Sequence, residues 1–66
     1  MSDKESQAET IMAWIRLTGK GKASTIASNL AIMCGEDYKE IKSTIWQLVS
    51  DGILVWDREG FIDVKK

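Results

Sequence analysis

Ala8, Ile11, Met12 and Ile15 recur at the i, i+3, i+4, i+7 spacing that gathers side chains onto one face of a helix. The spacing predicts a first helix from about Glu5 to Leu17, behind a polar, frayed segment over 1–6. Thr18-Gly19-Lys20-Gly21-Lys22 reads as a turn, because two glycines end the helix and permit positive φ. A short second helix follows over Ala23–Ala31. Ala23 or Ser24 stands at its N-cap position, and Ala27, Leu30 and Ala31 share one face with Ile26 beside them. Cys34-Gly35-Glu36-Asp37 breaks the pattern and Asp37 is suited to cap what comes next. Ile41, Ile45, Leu48 and Val49 then mark the buried stripe of a third helix that stops at Asp51-Gly52.

After Gly52 the period changes. Ile53-Leu54-Val55-Trp56 and Phe61-Ile62-Asp63-Val64 flank Asp57-Arg58-Glu59-Gly60, a turn of hairpin length. With Arg58 and Glu59 at the tip, Trp56 pairs with Phe61 and Val55 with Ile62. Ile53, Val55, Ile62 and Val64 then cover the helices, and Trp56 and Phe61 share the opposite face. A three-residue loop with a bulge at Gly60 shifts that register. The expected fold is mainly α with a small β-hairpin, an α+β arrangement of three helices and a C-terminal two-stranded wing. It forms one domain over residues 7–66.

Composition narrows the function. At 66 residues the chain holds one domain, which buries only about 60% of the surface its unfolded form exposes. Hydrophobic residues make up 44% and there is no Pro, so a packed core rather than disorder is expected. The lone Cys34 cannot form an internal disulfide and points to a reducing compartment, cytoplasmic or, in a eukaryotic or viral setting, nuclear. It is expected as a small buried hydrophobe, and Met12 and Met33 as core filler. No His is present, no Cys cluster, no poised carboxylate pair and no nucleophile motif, which leaves no catalytic residues, metal ligands or cofactor site to name and argues against an enzyme. No apolar run approaches the roughly 20 residues that span a bilayer, and the N-terminus lacks the apolar core of a signal peptide, so no membrane partner is expected. The Met1 start leads to the expectation of a complete small protein. Nine basic residues against ten acidic ones count against indiscriminate coating of nucleic acid, so any such contact must use a local patch.

The order helix, helix, helix, hairpin is that of winged-helix domains. Gly19-Lys20-Gly21-Lys22-Ala23-Ser24-Thr25 and Tyr38-Lys39-Glu40-Ile41-Lys42-Ser43-Thr44-Ile45-Trp46 resemble the corresponding stretches of Z-DNA-binding (Z-alpha) domains. In that family a Lys, an Asn and a Tyr on the third helix, with a Pro-Pro and a Trp on the wing, grip the left-handed backbone. The resemblance lays Lys39 on or beside the family's Lys, Lys42 on its Asn, Trp46 on its Tyr and Phe61 loosely on its wing Trp. The Pro-Pro is missing. The same run is also similar to the small winged-helix D proteins associated with dissimilatory sulfite reductase, whose context is a protein partner.

Residue by residue, two uses of the fold stand side by side. Stepping 100° per residue from the mean of Ile41, Ile45, Leu48 and Val49 puts Trp46 roughly 115° from the core direction, so it should be at least half exposed. Lys39, Lys42 and Ser43 lie on the same flank, two ammonium groups and a hydroxyl around an aromatic plate, a set suited to phosphate and sugar. Lys20 and Lys22 in the Gly-flanked turn and Arg58 at the wing tip are further candidates, although Asp57 and Glu59 flank Arg58 and repel phosphate. Together with Phe61 these residues make a candidate interface for duplex DNA or RNA. Alternatively Trp46 packs under the wing against Trp56 or Phe61. In a further reading Trp46, Trp56 and Phe61 stay exposed and form an apolar patch for a protein partner or for a second copy in a homodimer. Trp14 reads as helix packing, on a surface that Ile11, Ile15 and Leu17 already build.

Overall fold

The computed structural model describes residues 3–65. Six elements follow one another: α1 over Asp3–Thr18, β1 over Gly21–Lys22, α2 over Ala23–Cys34, α3 over Tyr38–Ser50, β2 over Leu54–Trp56 and β3 over Phe61–Val64. The three strands form one antiparallel sheet in the order β1-β3-β2. α3 packs against α1, α2 and β2, and β3 lies against α1, so the sheet closes one end of a three-helix cluster. The arrangement is α+β and winged-helix-like.

Ile11 and Ile15 of α1, Ala23, Ile26, Ala27 and Leu30 of α2, Ile41, Ile45 and Leu48 of α3, and Leu54 and Ile62 of the sheet form the core. Each helix supplies its periodic apolar face, as the spacing requires. Val49 and Ala31, expected in the stripes, are only partly buried at their edges. Two polar residues are buried with them. Thr44 of α3 donates its hydroxyl to the amide oxygen of Gln7 on α1, and the Gln7 amide nitrogen donates to Glu36 at 3.2 Å. This bridge ties α1 to the α2–α3 connection with its polar groups satisfied, so burial there carries no orphan penalty.

α3 has a defined stop at each end. The Asp37 carboxylate accepts the Lys39 backbone N–H at its N-terminus. At the other end Gly52 adopts φ 80°, its N–H donates to the Val49 carbonyl and that of Ile53 to the Leu48 carbonyl, a Schellman closure that needs the left-handed glycine.

Several expectations are corrected. α1 starts at Asp3, so residues 3–6 of the segment expected to fray are helical; Met1, Ser2 and Lys66 lie outside the described residues. Lys22, not Ala23 or Ser24, occupies the α2 N-cap and makes no side-chain cap, because the helix begins at Ala23 itself. The stretch read purely as a turn contributes β1, a two-residue strand too short to leave a periodic signature, which makes the sheet three-stranded.

The hairpin register is the larger correction. Leu54 pairs with Val64, Val55 with Asp63 and Trp56 with Ile62. The loop holds three residues, with Gly60 at φ 87° donating to the Asp57 carbonyl and Asp57 donating to that of Phe61. One extra loop residue turns every β2 side chain to the other face. Leu54 is therefore buried, while Ile53 and Val55 are exposed. Trp56 shares the face of Ile62 and not that of Phe61.

The apolar surface also differs from expectation. Met33 is 65% and Leu17 81% exposed, and Cys34 is exposed rather than buried. Leu17 lies about 200° round α1 from Ile15. Met33 and Cys34 sit in the last turn of α2, at the edge of the core.

Candidate functional site

Outward-facing positions of α3 are those farthest from the Ile41, Thr44, Ile45 and Leu48 stripe. By helical projection they are Lys39, Lys42, Ser43, Trp46, Gln47 and Ser50. Every one but Lys42 is exposed, and Lys42 is half-buried with its ammonium 5.7 Å from the centre of the Tyr38 ring. This strip carries two cations, two hydroxyls, an amide and an indole, and no carboxylate. Glu40 stands at its edge, about 20° round the helix from Gln47, and the Gln47 amide nitrogen donates to the Asp51 carboxylate at 3.2 Å.

Trp46 connects α3 to the wing. It is 41% exposed, slightly more covered than its angle alone implies, because Trp56 meets it edge to face with ring centroids 6.2 Å apart and planes at 85°. Edge-to-face pairs contribute about 0.5–1.5 kcal/mol beyond the area they bury, so the contact orients the wing against α3. Trp56 can do this only in the observed register, where it extends the inner sheet face beyond Leu54. The sequence alternative of Trp46 packing against the wing thus holds for Trp56. Phe61 lies on the other side of the sheet and is half-buried, so the three aromatics do not make one patch.

A second cluster forms around Phe61. The Lys20 ammonium sits 5.4 Å from its ring centre and 3.5 Å from the Asp57 carboxylate. Asp57 in turn accepts backbone N–H groups from Phe61 at 3.1 Å and Glu59 at 2.9 Å. The Phe61 N–H is the largest cause; desolvation comes next and opposes it, and the Glu59 N–H and Lys20 then add to the Phe61 effect, so the carboxyl is held below the usual Asp value of 3.8. Lys20 is therefore tethered to the wing. Lys22 is exposed in β1, in register with Phe61, and Arg58 is exposed in the wing turn.

The structure thus brings Lys39, Lys42, Ser43 and Trp46 onto one helix face and sets Trp56 beside them. Lys20 and Phe61 are drawn into the Asp57 cluster instead. Sequence reasoning missed Gln47 and Ser50, which the same 100° projection would have found, and the Gln7–Thr44 bridge, which no spacing rule announces. Among the described residues no group of three or more His, Cys, Asp or Glu side chains is placed to hold a metal ion, and no helix is long and apolar enough to cross a membrane. Compared with protein-family models, with curated proteins and with solved structures, the chain matches none.

Proposed function

We propose that this chain is a non-catalytic winged-helix domain that binds duplex nucleic acid through α3 and the wing, as a small DNA-binding regulator would. The observation that carries the reading is the outward strip of α3, whose six positions hold hydrogen-bonding, cationic and aromatic groups without a carboxylate in a protein of formal charge −1. Lys39 and Lys42 meet phosphates. Ser43, Gln47 and Ser50 supply neutral hydrogen-bonding groups for sugar, phosphate or base edges, and Trp46 packs on the backbone. Trp56 keeps the wing, with Arg58 at its tip, beside that helix.

Fluorescence anisotropy of labelled mixed-sequence and alternating C-G duplexes at about 50 and 200 mM salt tests the reading. Four phosphate contacts, by Lys39, Lys42, Lys22 and Arg58, give roughly a hundredfold loss of affinity across that interval. Lys42→Ala should lower the salt slope by about one. Preference for the alternating C-G duplex would extend the reading to the left-handed form. Absence of binding at the lower salt would overturn it.

A protein partner seated on Trp46 and Trp56 is the second reading. It is favoured by the 56% exposure of Trp56 and by Asp57 and Glu59 on either side of Arg58, which weaken the wing's pull on phosphate.

A further inference from the structure

Away from α3 and the wing, α1 and α2 enclose an open groove of about 290 Å³ lined by Thr10, Ala13, Trp14, Leu17, Leu30, Met33 and Cys34. No charged residue lines it. Leu17 projects from one bank at 81% exposure and Met33 from the other at 65%, while Ile32, 80% exposed, stands on the outer shoulder of α2. We propose that this groove is a two-fold interface between copies of this chain.

Three features select a second copy as the occupant. A two-fold contact brings a surface against itself, so a charge near the axis would meet its own like; here the lining is neutral throughout. The patch also carries projections and hollow together. A two-fold can therefore seat Leu17 of each copy in the groove of the other, beside Met33. Size agrees as well. Leu17, Ile32 and Met33 together leave on the order of 400 Å² of apolar side chain in water, the scale at which a contiguous patch marks an interaction site. That is about half of the ~800 Å² per partner of a standard interface, so the contact is a weak one that forms only at high concentration. The dimer is back to back, with both α3 strips facing outward, and does not depend on what they bind.

Sedimentation velocity on the full chain over about 1–500 µM tests the interface, with Leu17→Asp and Trp46→Ala as the informative variants. Leu17 is exposed in the single chain, so its replacement leaves the fold intact, and circular dichroism checks this. The wild type should dimerise with rising concentration. Leu17→Asp should weaken dimerisation about a hundredfold, since the two-fold removes the contact twice, and Trp46→Ala should leave it unchanged. Alkylation of Cys34 should slow as the wild type dimerises and stay fast in Leu17→Asp. A monomer throughout the range, or a dimer that survives Leu17→Asp, would overturn the proposal.

Discussion

α2 and α3 are neighbours of similar length built on opposite plans. α3 is strongly amphipathic, with four residues buried on one side and a polar, cationic strip on the other, and it is closed by a side-chain cap and a glycine. α2 contains no charged residue at all, has no side-chain cap, and ends with Ile32, Met33 and Cys34 in water. Both bury their inner faces equally well, so stability alone does not explain the contrast. What differs is what each outer face can meet: hydrated, anionic or hydrogen-bonding matter at α3, and apolar surface at the groove beside α2.

The largest effect expected from breaking this comparison lies on the buried side. Ile45→Ala, at a fully buried site of α3, should cost about 2–5 kcal/mol, enough to unfold much of a domain this small. Ile32→Ala on the outside of α2 should stay within about 0.5 kcal/mol. Urea titrations followed by tryptophan fluorescence check both. If the two variants were equally stable, the assignment of inner and outer faces would be wrong.

Next come the ends of α3. Gly52→Ala forces an L side chain to φ 80° and should cost about 1–2 kcal/mol. Asp37→Ala, which removes the cap, should cost about 1 kcal/mol. Lys22→Ala at the uncapped start of α2 should cost nothing comparable, and thermal melts of the three variants give the order directly.

These predictions separate what was legible in the chain from what was not. The helices and their buried stripes were legible because Ile11 and Ile15, or Ile41 and Ile45, recur with the helical period, and Asp37 and Gly52 are terminal signals with a mechanism. The exposed strip of α3 followed from the same period, which is why Lys39, Lys42, Ser43 and Trp46 could be grouped in advance. The face of β2 was not legible. It hangs on a single residue of loop length, and Asp57-Arg58-Glu59-Gly60 is compatible with a two-residue or a three-residue loop until Gly60 takes positive φ. Met33 and Cys34 misled because apolar character at a helix end says nothing about whether another element covers it. β1 and the Gln7–Thr44 bridge depend on tertiary contacts between distant segments, for which local pattern carries no signal.

The smallest effect concerns the wing. The Asp57 carboxyl is held below its ordinary value in the fold, so its contribution is complete above that value of 3.8 and is lost as pH falls through the lower folded pKa. Asp57→Asn should therefore flatten the acid limb of the melting-temperature profile below about pH 4 and leave the neutral region displaced by a constant amount. A limb of unchanged steepness would detach Asp57 from the acid sensitivity.

The division between a polar α3 face and an apolar α2 face is tested most directly by amide chemical-shift mapping, with a 15N-labelled sample at fixed concentration titrated with duplex DNA at low salt. The account predicts shifts concentrated on the outward residues of α3 from Lys39 to Ser50 and on the wing around Trp56 and Arg58, with Leu30–Cys34 unmoved. Shifts centred on α2 and the groove, or none anywhere, would contradict it.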